Sequence, residues 1–475
     1  MGPVSRRQLL GMFLIRAGLA FLVVALAGCA VAPGTTSPGT TSPAPTAPAA
    51  TFRSAEATAA LPTSMPSAAP AAPGGSAIRI GLVYPLSGRL AEWGQEVRPF
   101  IRAAEQQINA LPEAVAAGVY FELLVRSSES TPEGALAAVR DLVENQNVRI
   151  IAGLPLSSEL SATIGYLNDR GVAVISSAST SPALELRRPD LVYRISPPEL
   201  YLARTLAELA LHLGYTKAAI IHRGHGDVWG EAYTAEIERA FRENGFPVAS
   251  IPFEPTHPQV QDYAAEVKAL AARAAELGAD DGLVILLVAW EGEDLNILHH
   301  AAADPALSGV RWLSALLYPS LLDGRWEGVD RSDARELAFA RQMWGQESRP
   351  AMSDRLRALW SEARSELGRE PRFEHVYLLD TVQLAARAVL LAETGGGAAI
   401  AAAIPTAATG WEWSTGPIRL DANGDRASGD LAYYGLLRVD GGYEYRHFAY
   451  YHSAAGEFEI LVEPQPRPGT FCPEC

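Results

Sequence analysis

The sequence predicts an α/β fold made of two successive parallel sheets, each covered by helices, and three observations carry that prediction. The first is the stretch Val148–Pro182: an apolar run, Val148–Ala152, turns through Gly153 and Pro155 into a helix opened by Ser157 and Ser158. Gly171 ends that helix, and a second apolar run, Val172–Ile175, leads into the hydroxyl-dense turn Ser176-Ser177-Ala178-Ser179-Thr180-Ser181. Polar donors thus gather at the carboxyl ends of both strands, the edge at which open parallel sheets bind ligands. The second observation is that the alternation already runs from Ile78, reading β-α-β-α-β-α-β over about 120 residues, the pattern of a parallel sheet with helices on both faces. The third is that Val192-Tyr193-Arg194-Ile195-Ser196-Pro197-Pro198 breaks the rhythm with two prolines, after which the alternation starts afresh. Two such lobes with a proline-rich connector suggest a hinge.

The front of the chain is of another kind. Residues 1–16 carry Arg6, Arg7 and Arg16 and no acid, Ala17–Ala27 is small and apolar, and Leu26-Ala27-Gly28-Cys29 follows. A charged n-region, a short apolar core and small residues before the cut describe a secretory signal over residues 1–28. The last four residues resemble the bacterial lipobox, which implies lipidation of Cys29, and Ser5-Arg6-Arg7-Gln8-Leu9-Leu10 also resembles a twin-arginine export signal. Residues 29–77 are Pro, Ala, Thr, Ser and Gly with few large apolar side chains, so they cannot offset the entropy of ordering and read as a disordered tether.

In order, Ile78–Tyr84 is a strand, Pro85–Gly88 a loop, and Val97, Ile101, Ala104 and Ile108 share one helix face. Tyr120–Val125 is the next strand, and Thr131-Pro132-Glu133 caps a helix carrying Leu136, Val139, Leu142 and Val143. After the prolines, a helix with Leu202, Leu206, Leu209 and Leu213 closes at Gly214, and Ala218–His222 is a strand. A helix near 230–244, a strand at Val248–Ile251 and a long helix from Val260 to Leu277 follow. Leu283–Ala289 is a buried strand leading to Trp290-Glu291, then come a helix near Asp294–Ala302 and a strand at Val310–Leu313. Helices near Ser353–Leu367 and Val376–Ala392 precede a hairpin, Leu431–Val439 and Tyr443–Tyr451, turning at Asp440-Gly441-Gly442.

Composition narrows the function. With 48% hydrophobic and 20% charged residues, most of the 475-residue chain must be globular. A net charge of −15, or −18 once the three leader arginines are gone, excludes nucleic acid as a partner, because phosphate recognition needs a basic surface. Three cysteines exclude a disulfide scaffold, and Cys472 and Cys475, on a proline-rich tail, read as a small local disulfide. Asp421-Ala422-Asn423-Gly424-Asp425 lacks the glycine and glutamate that a calcium loop needs and reads as a turn. His222, His225, His299 and His300 have no metal-ligand spacing, so neither a metal nor a cofactor is expected. With no nucleophile elbow, P-loop or Gly-x-Gly-x-x-Gly after the first strand, binding rather than catalysis is expected.

Ile80–Gly88, Trp93-Gly94, the Ile151–Ser158 turn, Val174–Pro182, and Ala219–His222 with Trp229-Gly230 together resemble, in order and spacing, the leucine/isoleucine/valine-binding family of type I periplasmic binding proteins. The likeness covers about Ile78 to Val462 and weakens after about residue 320. It implies two Rossmann-like lobes closing over a ligand and joined by three crossings, at Arg194–Pro198, near Leu337 and near Thr415. The lobes are then residues 78–198 with 339–415 and 199–338 with 416–463, followed by a tail, 464–475. By the same resemblance Ser157, Ser158 and the Ala178-Ser179-Thr180 turn bind a ligand carboxylate, and Trp93 and Trp229 line the pocket. Trp290 and Glu291 are further candidates from their place after a buried strand.

The chain also departs from the family. Amino-acid binders place an acid near the strand that here ends Trp312-Leu313-Ser314-Ala315-Leu316-Leu317, where none is present, so Glu291 or Asp227 substitutes or the ligand has no amino group. Glu159 beside the anion site repels a carboxylate unless it points outward. The cysteines that some members bridge in the first lobe are missing. The expectation is a monomeric lipoprotein outside the cytoplasm, anchored to the membrane through Cys29, that captures a small amino acid, amide or related carboxylate and delivers it to ABC permease subunits. A sensor or envelope scaffold using the same fold is the alternative.

Overall fold

The computed structural model describes residues 77–462 and the short strand Ser64–Met65, apart from 185–189, 256–261, 291, 308, 317–337, 339–342, 349–352, 370, 394 and 441. The signal, the tether, the tail and the expectations for Cys29, Glu291, Cys472 and Cys475 therefore lie outside the described residues, as does the crossing expected near Leu337.

The first sheet is formed by β1 (Ser64–Met65), β2 (Ile78–Tyr84), β3 (Phe121–Ser127), β4 (Ile150–Gly153), β5 (Ala173–Ser176) and β6 (Val192–Arg194), of which the short, largely apolar β4 and β5 are buried on both faces. Their order is β1-β3-β2-β4-β5-β6, parallel except for β1. The intervening helices are α1 (Ala91–Glu96), α2 (Arg98–Asn109), α3 (Pro112–Ala117), α4 (Pro132–Arg140) and α5 (Ser157–Asp169). As expected from Thr131-Pro132, the Thr131 hydroxyl caps α4 by accepting from the Gly134 amide.

The second sheet opens with α6 (Glu199–His212), β7 (Lys217–Arg223), α7 (Val228–Glu243), β8 (Val248–Phe253), α8 (Ala264–Leu277), β9 (Leu283–Val288), α9 (Glu293–Ala303) and β10 (Arg311–Ser314). It continues with β11 (Trp344–Ser348), and the chain then forms α10 (Asp354–Leu367), α11 (Glu374–Leu391) and α12 (Gly397–Ala408) before β12 (Leu431–Val439), β13 (Gly442–His452) and β14 (Glu457–Ile460). The order is β14-β13-β12-β11-β10-β9-β7-β8, parallel from β8 to β11 and antiparallel from β11 to β14.

Each sheet has an apolar core on both faces, which is the reason its strands read as continuous apolar runs. Phe100, Ile108, Val382 and Ile404 pack with Ile80 and Ile150 on one face of the first sheet, and Val139, Leu160 and Leu167 with Val83 and Val174 on the other. Val267, Leu270 and Leu298 cover Ile285 on one face of the second, and Leu206, Ile237 and Phe241 cover Ile220 on the other. The late helices α10 to α12 thus return to the first lobe.

Two details correct the expected division of the chain. Residues 344–348, assigned to the first lobe, form β11 in the middle of the second sheet, so the chain changes lobe between Ser348 and Asp354. The last crossing lies beyond Thr415: the buried carboxyl of Asp380 on α11 accepts from the Ser414 and Thr415 amides and the Thr415 hydroxyl, which keeps that segment on the first lobe. The crossing instead follows the paired segments Arg194 and Gly424–Arg426, where the Arg194 amide donates to Gly424 O and the Arg426 amide to Arg194 O. The Arg194 guanidinium clamps Asp425 with two 2.6 Å bonds and donates to Ser181 O at 2.8 Å. Asp421, at the rejected calcium loop, accepts from the Asn423 and Asp425 amides as a turn residue does.

Candidate functional site

Strand order reverses at β2/β4 in the first sheet and at β7/β9 in the second, and such switch points open crevices at the carboxyl ends of the strands. At the first, β4 ends on Gly153 with φ near +100°, and a Cβ there would stand 2.3 Å from Val83 O, so only glycine permits the turn toward α5. The Ser157 hydroxyl accepts from the Ser181 amide at 3.3 Å, tying the α5 start to the turn after β5. Ser157, Ser158, Ala178 and Thr180 line one cleft. Ser179 departs: its buried hydroxyl donates to Leu154 O at 2.8 Å beside that of Ser176 at 2.9 Å, so it braces the turn instead of facing the cavity. The amino end of the 13-residue α5 has no side-chain cap among the described residues, and its positive dipole end is favourable to an anion.

Trp93 lines the same cleft from α1. Its ring stands edge-on to His375, with centroids 6.1 Å apart, and the Arg372 guanidinium lies 5.8 Å from its centre. Beneath it, Glu96 is fully buried, bridged to Arg372 at 2.5 Å and Arg369 at 2.7 Å. His375 joins Glu96 to the Tyr84 hydroxyl, at 3.1 and 3.0 Å. Burial pushes the Glu96 carboxyl up, but the His375 hydrogen bond and the Arg372 and Arg369 charges outweigh it and hold it at about 2.

The opposite wall comes from the second sheet. Arg223, at the end of β7, donates from Nη1 to Glu293 at 2.6 Å and from Nε and Nη2 to Asp227 at 3.2 and 3.0 Å. The Trp290 ring lies 4.3 Å from the same guanidinium, a cation–π contact. Trp229 packs between Trp290 and Tyr233, with centroids 6.4 and 5.5 Å away. Asp227 also caps α7 by accepting from the Gly230 amide at 2.7 Å. The edge rule applied to β7 could have found Arg223. Nothing local marks Arg372, which reaches the cleft from the turn before α11, about 280 residues beyond Trp93 in the chain.

Two acids near Ser157 and Thr180 have raised pKa values. Glu159 is fully buried and absent from the cleft lining; it turns toward the Ser128 hydroxyl, 2.6 Å away, so it does not face a ligand. Burial pushes it up to about 7, against the Ser128 hydrogen bond and the Arg89 charge. Glu199, the first residue of α6, does line the cleft, and burial pushes it up to about 8.

The cleft measures about 2040 Å³, against about 300–1,000 Å³ for a pocket closed around a small ligand, so the two walls stand apart. Among the described residues no group of His, Cys, Asp and Glu could hold a metal ion, and no helix is long and apolar enough to cross a membrane.

A family model described as periplasmic binding protein matches residues 77–442. Leu/Ile/Val-binding protein homolog 3 of Brucella melitensis is 23% identical over 204 residues, 42% of this chain and 53% of that protein. The chain spans about half the length of the curated relatives it matches. Among solved structures, the solute-binding protein of an ABC transporter from Rhodopseudomonas palustris BisB5, in complex with 3,4-dihydroxybenzoic acid, aligns with TM-score 0.61 and 17% identity over 82% of this chain and 99% of that one. An ABC transporter substrate-binding protein from Desulfitobacterium hafniense, in complex with Leu, aligns with TM-score 0.58 and 19% identity over 78% and 100%. At these identities the structures establish the fold alone.

Proposed function

The chain belongs to the periplasmic binding protein family, and from that premise we propose that it is an extracytoplasmic receptor that captures a small carboxylate-bearing solute by closing its lobes and hands it to an ABC importer. The observation that carries this reading is the open cleft between the carboxyl edges of two sheets. One wall offers Ser157, Thr180 and the amino end of α5, suited to a carboxylate, and the other offers Trp229 and Trp290, suited to the remainder of the ligand. Contacts from both walls exist together only when the lobes close, so a ligand shifts the hinge equilibrium toward the closed form. Solved proteins of this fold in complex with leucine and with a dihydroxybenzoic acid support a ligand of that size and charge.

The reading extends to the parts on which the fold is silent. The first lobe comprises residues 78–194 with 353–426 and the second residues 199–348 with 431–462; the receptor acts as a monomer, anchored through lipidated Cys29 with residues 29–77 as its tether. A thermal-shift screen of amino acids, amides, short peptides and aromatic acids tests it. A ligand at a hundredfold its Kd stabilises the folded state by about 2.7 kcal/mol. Ser157→Ala and Trp229→Ala should each abolish the shift, and a panel with no shift on the wild type refutes the receptor reading.

A further inference from the structure

Thr180 and Glu199 are joined twice across the crossing at Arg194–Pro198. The Glu199 amide donates to Thr180 O at 3.0 Å, which holds the two residues in register, and Thr180 Oγ1 stands 2.5 Å from Glu199 Oε1. Thr180 follows β5 and lines the cleft, whereas Glu199 opens α6 and is 2% exposed. That hydroxyl is the only group bonded to the Glu199 carboxyl among the described residues. Arg194 favours the ionised carboxyl, yet its guanidinium is bonded to Asp425 and Ser181 O instead. Asp227 before α7 opposes ionisation, and the Tyr233 phenol of α7 also feels the Glu199 charge. A buried carboxylate with one neutral donor and an acid nearby is poorly compensated, so its neutral form is favoured. Burial accordingly pushes it up to about 8.

A threonine hydroxyl has one proton to give. We infer that Glu199 is a positioning residue that decides where the Thr180 proton points: protonated, it donates to Thr180 Oγ1 and frees the Thr180 hydroxyl for a bound anion, and ionised, it takes that proton and repels the anion. The inference rests on the receptor function above and deepens it, because capture of a carboxylate becomes linked to a proton. Glu199 needs no contact with the ligand; its buried carboxyl acts through Thr180. Ser157 is outside this control, since its hydroxyl accepts from the Ser181 amide and keeps its own proton to donate.

The proton balance fixes the sign. An anion that binds while Glu199 is neutral exchanges no proton, and one that binds while Glu199 is ionised draws a proton from solvent onto the carboxyl. Affinity is then level below pH 8 and falls above it by up to about tenfold per pH unit. Glu159, in the first turn of α5, is the other raised acid near Ser157, but it is turned to Ser128 and away from the cleft.

The test is titration calorimetry of the full chain with L-leucine and with benzoate, which has no second titrating group. Measurements run from pH 6 to 9.5 in buffers of different ionisation enthalpy, so that the protons exchanged per anion are counted. The expected result is almost no exchange at pH 6.5, uptake approaching about one proton per anion by pH 9, and the matching decline in affinity. Glu199→Gln, whose amide donates to Thr180 at every pH, should keep the pH 7 affinity within about twofold and abolish both the uptake and the decline. Glu159→Gln should retain both, and Thr180→Val should bind at least about tenfold more weakly at pH 7. The proton count is read on the wild type, so it holds even if a variant fails to fold. Proton release or no exchange at pH 9, or a decline that persists in folded Glu199→Gln, overturns the inference and leaves the receptor reading standing. If the wild type binds neither compound nor any other acid of the thermal-shift panel, both fall.

Discussion

Replacing Glu159 by glutamine should make the protein more stable at pH 8 while changing little at pH 4.5. Glu159 sits in the first turn of α5 with no exposure, accepts one hydrogen bond from Ser128, and leaves Oε2 without a partner among the described residues. Burial raises its pKa from the ordinary 4.5 to about 7. Between those values the native state binds the proton and the unfolded state has lost it, so stability is fully present below 4.5 and falls as pH rises to about 7. At about 1.4 kcal/mol per pH unit, that interval amounts to about 3 kcal/mol. Glutamine keeps an acceptor for the Ser128 hydroxyl and has nothing to ionise. Urea unfolding of wild type and Glu159→Gln at several pH values should show a gap near zero at pH 4.5 that opens to about 3 kcal/mol in favour of glutamine above pH 7. General repulsion in this acidic chain affects both proteins alike and cancels in the difference. A gap independent of pH, or a wild type more stable than the variant at pH 8, would refute the argument that burial of this carboxyl outweighs the Ser128 hydrogen bond and the Arg89 charge.

Asp425→Ala removes the only counter-charge within bonding reach of the buried Arg194 guanidinium among the described residues, and should cost about 3–5 kcal/mol by urea unfolding, whereas Arg194→Met with Asp425→Leu should recover most of that loss. A single-variant cost below about 1 kcal/mol would mean that the crossing does not depend on the pair. Gly94→Ala places a Cβ 2.5 Å from both the Cα and the carbonyl oxygen of Leu86, backbone atoms that cannot swing aside, and should destabilise by about 1–3 kcal/mol. Because Trp93 rides on the same turn, its fluorescence should change and ligand affinity fall; unchanged stability and fluorescence would show that α1 lifts from the loop without cost.

The edge of the first lobe was legible because its signals are local. Ser157 follows its strand by a few residues, Gly153 marks a backbone turn that only glycine makes, and the burial pattern of β4 and β5 is written in four-residue apolar runs. Ser179 was misplaced for the same reason: the hydroxyls crowded into Ser176–Ser181 all look able to face a ligand, and only the carbonyl of Leu154, which captures Ser176 and Ser179, decides which do not. The membership of β11 and the late crossing were illegible, since a strand between one parallel and one antiparallel neighbour, or a turn bound to Asp380, is assigned by partners remote in sequence.

By itself, then, the sequence determined the α/β class, the two sheets, and the carboxyl edges that face the cleft, where Trp93, Ser157, Thr180, Trp229 and Trp290 stand. Apolar periodicity and turn chemistry act over a few residues, and so they survive in the linear order. The tertiary structure alone decided which charges lie where. Arg372 beneath Trp93, Glu293 against Arg223 and Glu199 against Thr180 meet across gaps of about 20 to 280 residues in the chain. Their protonation depends on the burial that this meeting creates, and burial has no counterpart in the order of residues.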